Sequence, residues 1–540
     1  MELQYPDLTV TEHVRQTARQ YPTLTAYDFM GKRVSFKTLM AHIDQTAAAF
    51  AGMGLIRGDT VAVCLPNCPH AVEAFYGLSM LGVTVCMIHP LSAPDEILYY
   101  VNHSGSKALI TLDQFAKKAA QALAKADHPC SLVVTTVKEQ LPCFKRLVYP
   151  LIQKEKFPLP ATTVRWRSLF GHSPLPELPT LDANEPAVLL YSGGTTGKPK
   201  GILLSHRNLN ALALQTIAAS GWDTIAGDTM LSVMPMFHGF GLGIGIHTAL
   251  VGGACCLLVP RFTVDSYAKL VKTRKPNFIP GVPTLFAALL QAESLQNTDL
   301  SFLKGVFSGG DRLSPALKKQ VDAFLRQHGS PVPIREGYGT TECVTASCLT
   351  PVGREKEGSI GLPYPDMEYT ITLPDSVTPL PPDTEGEICL TGPTVMLGYL
   401  NDPDSTAKVL KIHDDGRVWL HTGDLGCMDE EGFVYFKGRM KRMIITNGYN
   451  VYPAQIEEAM MGHPSVKDCC VIGVNDPMRG QRVRAYVVGE PALSLQEWQA
   501  YLAQSIARYA LPKEVVYQQQ LPKTAVGKVA YRLLEEEANG

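Results

Sequence analysis

The first half of the chain alternates short apolar segments with longer segments of helical periodicity. Apolar residues recur at helical spacing over 35–53 and 70–82, and short apolar runs occupy 60–66, 83–90, 107–111 and 131–136. Strands that alternate with helices usually pair in parallel, because each parallel connection needs a crossover and a helix supplies it. The pattern therefore predicts an α/β fold of parallel and mixed sheets flanked by helices.

The sequence pattern changes from about residue 433. The rest of the chain gives short strand-like runs and one helical segment at 495–507. A segment of about 100 residues with this α+β pattern is large enough to fold as its own unit. We therefore predict a large N-terminal domain over 1–437 and a small C-terminal domain over 438–540.

The charge balance excludes one class of partner. The chain has 49 Lys and Arg against 51 Asp and Glu, which gives a net charge of −2. A near-neutral chain lacks the general electrostatic field with which proteins bind nucleic acid. We therefore expect no nucleic-acid partner.

Cysteine usage and the N-terminus predict a cytoplasmic protein. The 13 cysteines contain no CxxC pair, which is typical of reduced thiols. The first 16 residues have neither a basic nor an apolar region, so no signal peptide is expected.

Residues 229–260 contain no Asp, Glu, Lys or Arg, but they contain Pro235, His238, His247 and six glycines. This composition predicts a buried core with loops and not a membrane span.

Residues 138–160 interrupt the alternation with lysines and arginines set among apolar side chains. One interpretation is a surface excursion with a solvated charged face. The other is a basic, apolar patch that touches an anionic membrane surface, which would place the protein at the membrane periphery. Both hypotheses remain open on the sequence.

The densest motif follows the apolar run 187–190 and reads YSGGTTGKPKG over 191–201. Glycines let backbone N–H groups approach a polyanion, hydroxyls donate further hydrogen bonds, and lysines add positive charge. The motif is not a Walker A loop, because Pro199 stands where that loop continues into a helix. We predict a phosphate-binding hairpin made of Ser192, Gly193, Gly194, Thr195, Thr196, Gly197 and Lys198.

This loop and six further motifs, in order, resemble the signature of the adenylate-forming superfamily. The others are PMFHGFG at 235–241, FSGGDRLSP at 307–315, GYGTTE at 337–342, WLHTGDLG at 419–426, GRMKRMIITNGYNVYPAQIEE at 438–458 and LPKTAVGKVAYR at 521–532. The chain looks most like the medium- and long-chain fatty acyl-CoA ligases. The resemblance implies that ATP converts a carboxylic acid to acyl-AMP, which then reacts with CoA.

Other activities are open on the same motifs. An acyl-AMP ligase that loads the pantetheine of a carrier protein uses the same adenylate. An oxygenase of the luciferase type shares the fold, and a catalytically silent nucleotide-binding protein is a third alternative. The intact motif residues argue against the silent protein, and assays separate the others.

The resemblance implies a set of nucleotide-binding residues. Lys528 would bridge the carboxylate and the α-phosphate, and Glu342 would hold Mg²⁺. Tyr338 would stack on adenine, with Asp311 at its edge, where most relatives carry a small residue. Asp424 would accept hydrogen bonds from the ribose hydroxyls, next to His421, where relatives usually carry Arg or Lys. The remaining predicted ATP contacts are Arg439, Gly309, Gly310, Gly339, Thr340 and Thr341.

The resemblance also implies that one site serves two steps. Lys441 would be the hinge about which the C-terminal domain rotates after pyrophosphate leaves. Asn447, Gly448 and Tyr449 would then line the tunnel for the CoA thiol. His238 would lie at the mouth of the acyl pocket, which Phe237, Val282 and Phe286 would line, although a histidine or an apolar stripe is often only core.

Overall fold

The computed structural model describes residues 3–142, 145–146, 159–171, 174–192, 199–261, 263–446, 449–490, 492–523 and 529–539. The helices of the first 300 residues are Val10–Gln20, Phe36–Gly52, Pro69–Met80, Pro94–Ser104, Ala116–Leu123, His206–Ser220, the π-helix Phe240–Thr248, Ala249–Val251, Val264–Arg274 and Pro283–Gln291. The later helices are Pro315–Gln327, Pro403–Val409, Pro453–Met461, Leu495–Leu502 and Tyr531–Asn539.

A nine-stranded mixed sheet forms one layer of the large unit. Its strands lie in the order Leu362–Pro363, Cys348–Leu349, Ile334–Tyr338, Gly305–Ser308, Phe278–Gly281, Thr229–Ser232, Cys255–Leu258, Thr25–Phe29 and Lys32–Ser35. The central strands pair in parallel, and only the outer ones are antiparallel. The predicted parallel and mixed sheets are therefore confirmed.

A second mixed sheet of eight strands packs beside it. The order is Gly398–Tyr399, Lys200–Ser205, Pro186–Ser192, Thr84–Met87, Thr60–Cys64, Ala108–Leu112, Ser131–Thr135 and Val164–Arg165. Helix Pro69–Met80 is buried along its whole length. It carries a single charged residue, Glu73, which is paired with His42. A helix that is apolar around its whole circumference belongs in a core, which explains its central position.

Two five-stranded sheets complete the fold. The first is antiparallel and contains Glu368–Thr372, Gly386–Thr391, Val418–Met428, Leu410–Ile412 and Val434–Arg439. The second belongs to the C-terminal unit and contains Tyr449–Val451, Ile444–Thr446, Gly480–Gly489, Val466–Asp476 and Glu514–Tyr517. The predicted boundary at 437/438 falls inside strand Val434–Arg439. The chain changes sheet at the one-turn helix Met440–Arg442, which contains the predicted hinge Lys441.

The uncharged stretch 229–260 folds as the sequence predicts, into core strands and helices. It contains strands Thr229–Ser232 and Cys255–Leu258 with the π-helix between them. Within the described residues, no helix combines the length and apolar composition needed to cross a membrane. The 12 cysteines described are free thiols, as predicted. Most of 143–158 lies outside the described residues, so the two hypotheses for 138–160 stay predictions.

Candidate nucleotide-binding site

Four neighbouring parallel strands of the nine-stranded sheet end at one edge, and a predicted site segment follows each. Strand Thr229–Ser232 leads to the motif around His238, and Phe278–Gly281 leads to Val282. The next two strands lead to the predicted adenine loop, 309–311, and to the GYGTTE motif. The carboxyl edge of such a sheet is where α/β proteins bind their ligands. The fold therefore gathers motifs that lie up to 100 residues apart.

The predicted phosphate-binding motif joins two strands of the eight-stranded sheet. Strands Pro186–Ser192 and Lys200–Ser205 are antiparallel, with Ser192 opposite Lys200. The strands confirm the predicted hairpin arms. The predicted contacts Gly193, Gly194, Thr195, Thr196, Gly197 and Lys198 lie outside the described residues, and they stay predictions.

Glu342 is held from two sides. The hydroxyl of Tyr399 donates a hydrogen bond of 2.9 Å to its carboxylate Oε1. The backbone N–H of Met396 donates to its carbonyl oxygen at 2.8 Å. Lys200 Nζ lies 4.5 Å from the centre of the Tyr399 ring, so the carboxylate and this lysine flank one aromatic side chain. An oriented carboxylate close to the predicted phosphate-binding hairpin has the oxygen chemistry that Mg²⁺ prefers.

The backbone immediately after Glu342 is strained. Val344 is fully buried and has φ +69° and ψ −59°, with a 2.9 Å hydrogen bond from Thr345 N–H to the carbonyl oxygen of Cys343. This is a γ-turn of the rarer hand, which a β-branched residue seldom adopts. Gly239 and Gly339 allow the turn to fit, because a Cβ on either would overlap a carbonyl oxygen of residues 344–345. Such strain usually occurs at functional sites.

Asp424 lies at the centre of the candidate site and is fully buried. The hydroxyl of Tyr338 donates to its Oδ2 at 2.6 Å, and the Nε of Arg439 lies 2.8 Å from its Oδ1. The charge of Asp424 raises the pKa of Arg439, and burial followed by this same charge raises the pKa of Tyr338. The structure thus brings together three predicted nucleotide-binding residues from three separate motifs.

The predicted adenine loop follows strand Gly305–Ser308. Gly310 has φ +78°, a conformation that favours glycine. The Asp311 side chain is exposed, and its carboxylate accepts a hydrogen bond from the Arg312 N–H at 2.9 Å. This hydrogen bond is formed with the adjacent residue, so the Asp311 side chain remains at the surface, where it is accessible to a ligand.

A group of cations faces the same space. The pKa of Lys441 is lowered by reduced hydration and then by the charges of Lys200, Arg532 and Arg439. Like charges repel, so a bound anion of matching charge would stabilise such a group. These cations come from the hairpin, from the strand at the end of the large unit and from the C-terminal unit. The arrangement is suited to a polyphosphate.

The predicted acyl-pocket residues have protein neighbours. His238 Nδ1 accepts a hydrogen bond from Phe240 N–H at 3.2 Å, and the Phe237 ring lies 4.3 Å from that of His89. Val282 is half-buried, whereas Phe286 is fully buried in an apolar cluster. Glycines 239, 241 and 243 near this region are closely packed, because a Cβ on each would overlap protein atoms. The strained turn lies against Gly239, the loop 234–235 against Gly241, and the Leu212 side chain against Gly243.

Comparison of the sequence with known protein families agrees with a nucleotide-binding site. A family model described as AMP-binding enzyme matches residues 14–400, and one described as AMP-binding enzyme C-terminal domain matches 455–528. The chain belongs to the AMP-binding enzyme family. A long-chain-fatty-acid–CoA ligase of Bacillus subtilis is 36% identical to this AMP-binding enzyme, over 99% of this chain and 96% of the relative.

Solved structures agree with this AMP-binding fold. The o-succinylbenzoate CoA synthetase (MenE) of Bacillus subtilis, with the acyl-adenylate intermediate OSB-AMP, is 26% identical with a TM-score of 0.82, covering 99% of each chain. The same synthetase with ATP and magnesium ion is 26% identical with a TM-score of 0.80, covering 97% of this chain and 98% of that one. The first of these two structures holds an acyl-adenylate, and the second holds ATP with a magnesium ion.

Three further predicted residues of this AMP-binding enzyme lie outside the described residues, namely Lys528, Asn447 and Gly448. The third CoA residue, Tyr449, is exposed and stacks on Tyr509 at 4.6 Å. Lys523 and Val529 form a β-bridge, so the two described residues that flank the Lys528 segment lie side by side.

Sequence reasoning missed two residues of the site. Tyr399 contacts Glu342 and Lys200, yet MLGY at 396–399 contains no recognisable ligand-binding signal. Arg532 lies in the last motif, in which only Lys528 was predicted to act in the site. Its position four residues after that lysine was the only sequence signal available.

Proposed function

We propose that this AMP-binding enzyme is a fatty acyl-CoA ligase. It uses ATP to convert a fatty acid to acyl-AMP with release of pyrophosphate, and CoA thiol then displaces AMP to give acyl-CoA. The observation that carries the proposal is the pairing of Glu342 with Tyr399 beside Lys200, together with the contacts of Asp424 with Tyr338 and Arg439. This set of charges can accept a nucleotide polyphosphate and orient its ribose.

The first step joins two anions, because a carboxylate attacks the α-phosphorus of ATP. Fixed cations and donors aimed at the developing charge lower the barrier for such a step. Lys200, Lys441 and Arg532 supply cations, and Lys528 would place its amine between the two reacting groups. Arg532, four residues after Lys528 in the same motif, contributes to lowering the pKa of Lys441.

Glu342 would hold Mg²⁺, which keeps several waters and is often bound by few protein carboxylates. The ion, when bound, neutralises charge on the phosphate oxygens. Tyr399 fixes the orientation of the Glu342 carboxylate through its hydrogen bond. Thr340 and Thr341 follow strand Ile334–Tyr338, as Glu342 does, and they would contact phosphate and acyl oxygens.

The substrate and the acceptor rest on the comparisons. The relative of 36% identity is named a long-chain-fatty-acid–CoA ligase and is matched along nearly its whole length. The name favours free CoA over a carrier protein as acceptor. The acyl chain would enter beside Phe237 and His238, next to the carboxyl ends of the central strands.

The proposal is tested by a panel of carboxylic acids of increasing chain length, assayed for pyrophosphate release and for acyl-CoA. Long-chain acids with ATP and free CoA should give both products. Replacing Lys528 with Ala should abolish acyl-AMP formation but spare thioester formation from supplied acyl-AMP. The control Lys523→Ala should keep both, because the Lys523 side chain pairs with Asp468. Transfer only to a carrier protein would contradict the proposal.

We also propose rotation of the C-terminal unit about Lys441 between the two steps. Lys441 lies in the one-turn helix that joins the two five-stranded sheets. Replacing it with Pro should slow thioester formation far more than adenylation. Equal loss in both half-reactions would argue against the hinge.

The basic segment 138–160 would contact anionic membranes at their surface. Lys145 and Arg146 belong to this segment, and both are at least partly exposed. Neutralising its basic residues should reduce binding to vesicles of anionic phospholipid. Unchanged binding would contradict this contact.

A further inference from the structure

Asp424 projects from an irregular stretch of the antiparallel sheet. Glu387 pairs with Leu425, but Cys389, two residues later, pairs with His421, four residues earlier. The strand Val418–Met428 therefore carries two extra residues here, which is a β-bulge. Gly423 has φ +69° within it. Bulges disrupt the ladder of backbone hydrogen bonds and often re-aim a side chain near an active site.

Side chains replace the backbone hydrogen bonds that the bulge removes. Glu387 Oε1 accepts the Gly423 N–H at 2.9 Å. Thr422 Oγ1 accepts the Asp424 N–H at 3.1 Å and donates to the carbonyl oxygen of Ile388 at 2.7 Å. The backbone on the N-terminal side of the Asp424 Cα is thereby fixed.

Glu387 is itself held by a chain of buried histidines. His421 Nδ1 lies 2.9 Å from Glu387 Oε2, and His421 Nε2 lies 3.0 Å from His413 Nε2. The three residues are 4–7% exposed. A buried carboxylate is stable only when its oxygens are hydrogen-bonded, and here one oxygen meets His421 and the other meets Gly423.

A metal ion could bind to the same side chains, because donor atoms of Cys389, His413 and His421 lie within 4.8 Å of one another. The ring geometry argues against it. Cys389 Sγ lies 3.4 Å from His421 Nδ1, whereas His413 lies at Nε2, on the other side of that ring. An ion on either nitrogen of His421 would displace a contact that this nitrogen already makes, with Glu387 at Nδ1 or with His413 at Nε2. The hydrogen-bond chain is the arrangement that the distances describe.

We propose that Glu387 and His421 are positioning residues for Asp424, and through it for the ribose of the nucleotide. This inference rests on the proposed function, in which Asp424 accepts hydrogen bonds from the ribose hydroxyls. Glu387 fixes the bulge, His421 fixes Glu387, and the bulge aims the Asp424 carboxylate beside Tyr338 and Arg439. Neither Glu387 nor His421 touches the ligand.

The test measures binding of AMP and of 2′,3′-dideoxy-AMP, which lacks both ribose hydroxyls, by titration calorimetry on the full chain. Replacing Glu387 with Met keeps the side-chain length but removes the acceptor. It should weaken AMP binding about tenfold, the size of one lost hydrogen bond to a charged group, and leave dideoxy-AMP binding unchanged. Glu387→Gln keeps an acceptor and should recover most of the affinity.

His421 is tested in the same way. His421→Asn places an amide donor near the position of Nδ1 and should bind AMP nearly as the native protein does, whereas His421→Phe should resemble Glu387→Met. In the adenylation assay, Glu387→Met should raise KM for ATP with less than about a twofold change in kcat. Glu385→Gln, at an exposed neighbouring carboxylate, is the control and should match the native protein.

The outcomes separate the inference from the proposed function. If Asp424→Asn leaves the preference for AMP over dideoxy-AMP intact, the ribose role of Asp424 is wrong. If Asp424→Asn loses that preference but Glu387→Met keeps it, the positioning role is wrong. Stoichiometric zinc in the purified protein, lost on Cys389→Ser, would also overturn it. If both Glu387→Met and His421→Phe fail to fold, the group serves stability and the positioning role is rejected.

Discussion

Asp424 and Arg439 face each other directly across antiparallel strands, and the Arg439 Nε lies 2.8 Å from the Asp424 Oδ1. This pairing places the proposed ribose-binding carboxylate opposite Arg439, which is the last residue of its strand before the chain enters the C-terminal sheet. Five residues later, at Ile444, the C-terminal unit begins its own sheet. The contact therefore links the nucleotide site to the point at which the two units join.

The first prediction concerns this ion pair. Arg439→Gln leaves the buried Asp424 without its cation and should lower the free energy of unfolding by about 1–3 kcal/mol. When Asp424→Asn is already present, Arg439→Gln should lower the free energy of unfolding by less, because no buried charge remains at position 424. Urea unfolding of both single variants and the double variant measures the coupling. Strictly additive losses would show that the two side chains do not stabilise each other.

The second prediction concerns the carboxylate proposed to bind Mg²⁺. Tyr399→Phe removes the hydrogen bond to Glu342 but keeps the ring beside Lys200. The carboxylate is then less well oriented, so the Mg²⁺ concentration for half-maximal adenylation should rise about three- to tenfold. Tyr435→Phe is the control, since it removes a similar bond to Asp429 on a different surface. A similar change in both variants would contradict the prediction.

The third prediction uses the pH dependence of stability. Burial raises the pKa of Glu336 from 4.5 to about 7, although Arg312 and Lys318 act in the opposite direction. Because the folded state binds the proton more tightly, this group's contribution to stability is complete below about pH 4.5. That contribution is lost as the pH rises through about 7, by about 2–3 kcal/mol.

Glu336→Gln should therefore lose less stability than the native protein between about pH 5 and pH 8, as measured by urea unfolding. Glu430→Gln, at an exposed carboxylate, is the control and should follow the native curve. The prediction is wrong if Glu336→Gln follows the native curve as well.

The fourth prediction concerns a contact between the two units. Arg312, next to the predicted adenine residue Asp311, lies 2.6 Å from Glu458 on helix Pro453–Met461. This ion pair favours the observed arrangement of the units. Arg312→Glu should change the rates of adenylation and thioester formation unequally, because it shifts the balance between arrangements.

The charge swap Arg312→Glu with Glu458→Arg should restore the native ratio of the two half-reactions. Single-turnover assays of each half-reaction on the same preparations provide the measurement. Equal loss in both half-reactions, without recovery in the double variant, would count against a role in domain arrangement.

Local sequence was sufficient to predict much of this molecule. Alternation of apolar runs and helical periodicity predicted the parallel sheets, and the structure gives strands and helices at 36–52, 60–64, 69–80 and 84–87. Both patterns report which side of an element is buried, and that depends on residues only two to four positions apart. The resemblance of the ordered motifs to the adenylate-forming superfamily likewise implied roles for Glu342, Asp424 and Arg439.

The sequence by itself determined the architecture and the chemical character of the site, because periodicity and motif composition are local properties. Only the tertiary structure decided how the site is held. The bond from Gly423 to Glu387 spans 36 positions of the chain, and that from Tyr399 to Glu342 spans 57. A bulge, a strained turn at Val344 and a cation group arise from pairings between distant strands, and no local pattern encodes which distant residues will meet.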